Sequence, residues 1–318
     1  MPTVESLQFD GHLTSIALQY NNPEFIGDLV LPPIAVPRKQ GKYKIYNKPD
    51  RFTVPDTTVG PKSQPNEVDF GVSEGTFACA DEGLQEFVSN EEIDNAESPI
   101  TPLADAVENT TALMMLAKEI DIATAVHTAA NYATTLDLNG SWATLTNDIL
   151  AQIVTAMDAC FMPPNVMVMG LPTWRAVSRN EKVLAAVKGT LMPQNLNKGK
   201  LSMPWVNQEE LAQFLGLDAV LVGRAKKNTA AEGQTPAYGV VWDGTNATKG
   251  GAAFLRVKTA AVKDVVWGAQ FSWKGVQVMT RESARGAFGG QEIRVVESRI
   301  IKSVSTDVGY LFIDALVT

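Results

Sequence analysis

The stretch RFTVPDTTVGPKSQPNEVDF, residues 51–70, decides how this chain is read. Pro55, Pro61 and Pro65 each remove a backbone donor and Gly60 invites a turn, so neither a long helix nor a central strand persists through it. What remains is an extended, turning arm. Disordered linkers lack large apolar anchors, whereas Phe52, Val54, Val59, Val68 and Phe70 punctuate this one. An ordinary surface loop is the bland alternative, but structureless loops beyond ~15 residues are uncommon in compact domains. The anchors therefore read as hooks for another surface, and the first hundred residues as a region that builds no core by itself.

On either side of this stretch the charges separate. A basic run, Arg38, Lys39, Lys42, Lys44, Lys48 and Arg51, precedes it, and an acidic stretch from residue 81 to 97 follows. The expectation is that the basic run offsets the acidic one on an adjacent copy, with contact to nucleic acid the second reading. Over the whole chain 27 Lys and Arg stand against 35 Asp and Glu, a net charge of -8. That balance argues against a dedicated nucleic-acid binder, whose affinity would come from a basic surface. A length of 318 residues with 45% hydrophobic content allows two lobes, or one lobe with large excursions.

Cys79 and Cys160 lie far apart without CxxC spacing, so reduced, buried thiols are expected rather than a disulfide scaffold or zinc site. The N-terminus has no basic start followed by an apolar run, and no stretch approaches the ~18 apolar residues of a spanning helix. Cytosol-like conditions and no membrane follow as expectations, and the glycosylation patterns at Asn109, Asn139 and Asn246 are then chance matches.

After the acidic stretch, Thr101 and Pro102 read as the cap and first position of a long helix. Leu103, Val107, Leu113, Met114, Ala117, Ile120 and Thr124 recur at spacings of three and four along one stripe, predicting a helix to about Asn131. Its polar side, with Asp105, Glu108, Lys118 and Glu119, is expected to be solvated. All six tryptophans, Trp142, Trp174, Trp205, Trp242, Trp267 and Trp273, fall later, so the large core-fillers gather in the second half.

Residues 142–273 read as an α/β lobe. Asn147 is the expected cap of a helix carrying Ile149, Leu150, Ile153, Val154 and Met157. Pro163 and Pro164 stop it, and residues 165–170 form a short buried strand. A helix opens at Leu171, Pro172 and Thr173. Asn207 with Glu210 forms a capping pair for another, which Gly216 ends. Residues 219–222, 238–242 and 254–257 read as strands, as do 276–280, 293–304 and 309–316, where apolar and polar residues alternate.

Several runs, in their order, resemble the major capsid proteins of tailed bacteriophages with the HK97-type fold. They are Asn22 to Asp28 with Val30, Leu31 and Pro32; Phe52 to Asp56 through Pro65 to Val68; Asn131, Tyr132 and Ala133; Pro164 to Gly170; Gly289, Gly290 and Gln291; and Asp307 to Phe312. The resemblance implies an α+β fold with an N-terminal arm (1–40), an extended loop (41–99), a spine helix and peripheral domain (100–141), an axial α/β lobe (142–272) and peripheral strands (273–318). It implies a self-assembling icosahedral shell of hexameric and pentameric capsomers around double-stranded DNA, located in the virion and assembled in the host bacterial cytoplasm. A separate scaffolding protein, a portal, a decoration protein and weak non-specific DNA contact would accompany it. The family prototype crosslinks a loop lysine to a distant asparagine; Lys44, Lys48 and Lys62 lie in or near the loop, but the resemblance matches none of them to that lysine, so no self-catalysed crosslink is expected.

No enzyme is expected, and no catalytic, cofactor-binding or metal residue is assigned. His12 and His127, the only histidines, read as structural, and neither GxGxxG nor GxxxxGK[ST] occurs. Two alternatives stand beside the capsid reading. One is an encapsulin-like compartment shell on the same fold, and the other a monomeric α/β hydrolase whose lid is residues 41–99.

Overall fold

The computed structural model describes residues 8–9, 13–14, 24–46, 52–69, 71–97, 100–191, 205–231, 233–244, 250–258 and 265–316. Two sheets carry the fold, and one helix runs behind both.

The first sheet is built on two long antiparallel strands, β12 (Gly268–Ser283) and β13 (Gly290–Ser303), joined by a glycine-bearing turn. β5 (Ala80–Ser89) pairs with the free edge of β13. β1 (Gln8–Phe9) and β2 (Pro33–Ala35) pair with β12 at its two ends. A separate two-stranded hairpin, β3 (Gln40–Tyr46) with β4 (Val72–Ala78), holds residues 47–71 between its arms. The prolines lie in that connection and not in a strand, as their missing donors require.

The second sheet has the order β6 (Thr134–Asp137), β14 (Tyr310–Ile313), β11 (Ala252–Leu255), β7 (Val166–Gly170) and β8 (Ala219–Gly223). Its strands VMVMG, AAFL and YLFI are almost continuously apolar because both faces are covered. Alternate residues serve different cores. Met167, Met169, Phe254 and Phe312 face Trp142 and the helices α4 (Ile149–Ala159), α5 (Leu171–Arg179), α6 (Glu181–Leu191) and α7 (Gln208–Leu215). Val166, Val168, Leu255 and Leu311 face the other way, onto Trp242, Trp267 and helix α3 (Pro102–His127), which follows the short helices α1 (Gly27–Val30) and α2 (Asn90–Asp94). A small ribbon, β9 (Lys226–Asn228) with β10 (Tyr238–Val240), completes this lobe.

α3 is the strut, 26 residues long, and it ends at His127, four residues before the expected Asn131. Its N-terminal half packs Ala106, Val107 and Met114 on Val278, Ile293 and Val295 of the first sheet. Its C-terminal half buries Ile122, Ala123 and Val126 against the second. Two bodies on different sides rotate the buried stripe along the helix. Leu113, Ala117 and Thr124, assigned to the stripe from their spacing, are exposed as a result. Of the expected polar side, Asp105 and Glu108 are exposed, but Lys118 is largely covered and Glu119 is 3% exposed, which corrects the solvated-face reading.

Asp148, not Asn147, caps α4, accepting from the Ala151 N–H at 3.0 Å. Asn147 instead braces the preceding turn by donating to the Ser141 carbonyl. The Asn207–Glu210 box at α7 and the left-handed Gly216 that ends it match the sequence reading. Both cysteines are free thiols, Cys79 buried and Cys160 partly so.

Trp242, fully buried, lies in a slot made by two glycines that face each other at the ends of β7 and β8. A Cβ on Gly223 would sit 2.0 Å from the indole Cδ1, and one on Gly170 would sit 2.5 Å from the Trp242 carbonyl oxygen. Gly223→Ala should therefore destabilise the lobe by about 1–3 kcal/mol through overpacking. A urea midpoint unchanged from wild type would show that the indole has room to move.

Candidate functional site: the uncovered loop and the junction behind it

Residues 52–69 are exposed throughout, with Val54 at 82% and Phe52 at 54%. Val59 and Val68 are also among the exposed large apolar side chains. The loop is nevertheless braced. The Ser63 N–H donates to the Gly60 carbonyl (3.0 Å), closing a turn with Pro61 in its second position. The Asp56 carboxylate accepts from the Thr58 N–H (2.9 Å), which holds its pKa below the usual range. The Asn66 amide donates to the Asp56 carbonyl (2.8 Å) across the loop. Among the described residues a ring contact ties it to the body, Phe52 edge-on to Phe161 with centroids 4.9 Å apart. The valines thus have an ordered backbone beneath them and no core above them.

The hairpin that carries the loop sits on a definite side of the first sheet. Phe77 and Tyr43 pack on Phe271, with Ile300 beside them. On β13 the alternation that sends Ile293 and Val295 to α3 sends Arg294, like Ile300, to this opposite face. There Arg294 donates to Gln85 (2.7 and 3.2 Å), beside Met279, and Arg281 pairs with Glu292 (2.8 Å). Gln277, Met279, Arg281 and Arg294 are half-buried on this surface.

Two members of the basic run are satisfied inside their own chain, so for these two the expectation of a partner on an adjacent copy is corrected. Lys39 pairs with Asp81, and Lys42 with Glu74 at 2.6 Å across the hairpin. Antiparallel registry places Lys42 opposite Thr76, so Glu74 is its diagonal neighbour. Lys48 and Arg51 lie outside the described residues.

Behind the sheet two buried charged groups join distant segments. Arg299, its side chain 2% exposed, meets Glu82 (2.6 Å), Asp121 of α3 (2.7 Å) and, through Nε, Glu297 (3.6 Å). Burial pushes the Glu297 carboxyl up, against the pull of Lys118 and Arg299. Glu119 accepts from the Ile26 N–H (2.9 Å), the Gly27 N–H (2.7 Å) and the Trp242 indole (2.6 Å). Burial raises its pKa despite these three donors.

His127 closes α3 at 2% exposure, edge-on to Trp242 at 6.0 Å. A Cβ on Gly251 would approach its Nδ1 to 2.5 Å, so that glycine makes its room. Burial lowers its pKa from 6.5 to about 4. The folded pKa being the lower, the unfolded chain takes the proton first. His127 therefore leaves stability intact above pH 6.5 and removes about 3 kcal/mol as pH falls to 4. In His127→Asn the decline between neutral pH and pH 4.5, measured by urea unfolding, should shrink by about 2–3 kcal/mol. An equal decline in both proteins would mean that the imidazole does not drive it. His12 lies outside the described residues. Among those described, no three His, Cys, Asp or Glu side chains are grouped to hold a metal ion, and no helix is long and apolar enough to cross a membrane.

A long helix behind an antiparallel sheet, a projecting braced hairpin and a mixed-sheet lobe define an HK97-like capsid fold. A crystal structure of a phage-related protein from Bordetella bronchiseptica RB50 matches it with a TM-score of 0.72 at 20% identity, covering 98% of this chain and 99% of that one. The capsid structure of cyanophage P-SCSP1u matches with a TM-score of 0.55 at 9% identity, covering 89% and 86%. No family model matches the sequence. The major capsid protein of Pseudomonas phage JBD67 is 33% identical over 313 residues, 96% of this chain and 97% of its own length. The chain belongs to the family of phage major capsid proteins.

Proposed function

We propose that copies of this chain build an icosahedral head of hexameric and pentameric capsomers around double-stranded DNA. In this reading residues 1–40 are the arm, 100–141 the spine helix and peripheral domain, 142–272 the axial lobe and 273–318 the peripheral strands. Within the 41–99 segment, β5 belongs with the peripheral sheet, and the hairpin from β3 to β4 is the part that reaches a neighbour. The role is structural, without catalysis, cofactor or self-made crosslink. Assembly takes place in the host bacterial cytoplasm with a separate scaffolding protein, a portal and a decoration protein, and the product is the virion. DNA contact is weak and non-specific, as a net charge of -8 requires.

The observation that carries the reading is the loop: four exposed apolar side chains on a braced backbone, in a chain that also carries a half-buried sheet face with Gln277, Met279, Arg281 and Arg294. Loop residues Asp56, Glu67 and Asp69 complement Arg294, whose hydrogen-bond partner on that face is the neutral Gln85. Obligate interfaces of this kind bury ~2,000–5,000 Å², and long arms adapt one contact to both five-fold and six-fold surroundings. Size-exclusion chromatography with negative-stain microscopy of the purified chain should show rings or shells. A monodisperse 34.3 kDa species that turns over a substrate would overturn the reading in favour of the lidded hydrolase.

A further inference from the structure

Three segments far apart in sequence meet at one buried carboxylate. Glu119 stands on α3, Ile26 and Gly27 open the short helix Gly27–Val30 where the arm crosses that helix, and Trp242 belongs to the second lobe, 123 residues further on. The fit is close on every side. A Cβ on Gly27 would lie 2.6 Å from Oε2, and the indole that reaches Oε1 is pinned by Gly170 and Gly223. A cleft of about 280 Å³, lined by Phe25, Leu29, Met115, Ile122 and Glu119 itself, opens at this point, where Leu29 is 63% exposed. The arm segment is anchored here, since Ile26, Val30 and Leu31 are buried in the same apolar cluster as Ile122, Val126 and Trp242, so its amides exchange through local openings.

We propose that Glu119 is a coupling residue, through which the seating of the arm and the position of Trp242 in the second lobe stabilise each other. A carboxyl group in a buried site needs its donors, because an acceptor left unpaired there keeps its full desolvation cost. Lifting the arm withdraws two of the three and leaves Trp242 as the remaining one. Turning Trp242 away withdraws one and weakens the hold on the arm. Each contact therefore raises the cost of losing the other, although the arm amides and the indole do not bond to one another. The charged groups around the junction do not short-circuit it. Lys118 is engaged by Asp28 at 2.7 Å, and Asp28, 58% exposed, adds only to the pressure on the carboxyl. His127 touches the indole by ring contact and is neutral at pH 7. In a shell built as proposed above, this coupling would make arm and lobe change position together. The coupling itself is a property of the single subunit and is testable whether or not shells form.

The test is amide hydrogen exchange of the purified chain, wild type against Trp242→Phe, Glu119→Gln and the double variant. Trp242→Phe keeps an aromatic ring and removes the N–H donor. It should speed exchange at Ile26 and Gly27 about tenfold, the range of a one-step coupling between neighbours, while amides of the β7–β11 pairing stay protected. In the Glu119→Gln background the same change should add less than about twofold. Unchanged exchange at Ile26 and Gly27 in Trp242→Phe, or an equal acceleration in both backgrounds, would overturn the proposal. Should Trp242→Phe fail to fold, Gly27→Ala approaches the junction from the arm. It should shift the Trp242 indole N–H resonance of the ¹⁵N-labelled chain when residue 119 is Glu and not when it is Gln. A shift of equal size in both backgrounds, or none in either, would count against the coupling.

Discussion

Arg299→Ala should lower the unfolding free energy by about 3–5 kcal/mol, the cost of breaking a buried ion pair from one side. Glu82 and Asp121, 35% and 49% exposed, can turn to water when the guanidinium is lost, and each then costs little. Glu297, 7% exposed, cannot. It would keep a buried charge with Lys118 as its remaining cationic influence. The loss also unties three elements, since Arg299 is on β13, Glu82 on β5 and Asp121 on α3. Two further results follow. Because the folded pKa of Glu297 is raised, its contribution is full below the ordinary carboxyl range and is lost as pH rises through the folded value. Removing Arg299 raises that value further, so the deficit should be smaller at pH 5 than at pH 8. Replacing Arg299 and Glu297 together by methionine should recover more than half of the loss, because no unpaired charge stays inside. Urea unfolding checks all of this. A deficit below about 1 kcal/mol, independent of pH, would reduce the cluster to an ordinary surface network.

The parts of this fold that were legible in the sequence are those whose cause is local. Unbroken apolar runs such as Val166 to Met169 mark strands covered on both faces, the Asn207–Glu210 box marks a helix start, and three prolines mark a segment that no sheet accepts. Where a cause lies far along the chain, local pattern misleads. Glu119 sits among apolar neighbours on a long helix, but the donors that make its burial tolerable are 92, 93 and 123 residues away. The stripe on α3 could not be drawn with one period because its two halves answer to different sheets. Alternation marks β12 only from Val276 onward, whereas the strand begins at Gly268. Irregular registry on either side of Lys274 breaks the two-residue alternation there, and bends one strand so that it serves two clusters. The strands β4 and β5 fall inside a segment whose pattern reads as loop, since Glu74 and Asp81, exposed, and Glu82 and Glu86, half-buried, resemble a solvated acidic run until their partners on β3 and β13 are known.

Replacing Val54, Val59 and Val68 together with aspartate should leave the subunit folded and abolish shell formation. In the single chain these side chains are exposed, so each change alters stability by no more than about 0.5 kcal/mol, as surface substitutions do. The urea midpoint should therefore stay near wild type, and the Gly60 turn and the Asp56–Asn66 brace, which use backbone and polar groups, should survive. In a shell the balance reverses. Fully covering an exposed valine contributes about 1.5 kcal/mol or more, but Val59 and Val68 are already half covered, so the three together contribute roughly 3 kcal/mol per loop. Aspartates in the same places must in addition be stripped of water beside a loop that already carries Asp56, Glu67 and Asp69. A loss of about 3 kcal/mol weakens a single contact by roughly two powers of ten, and every subunit in the lattice suffers it at once. Alanine at the same three positions removes apolar area without adding charge, and should raise the protein concentration needed for assembly while still permitting it. Light scattering and electron microscopy read both results. Shells formed by the triple-aspartate chain at wild-type yield would mean that the loop's apolar side chains hold nothing together, and the contact between copies would have to be sought elsewhere on the molecule.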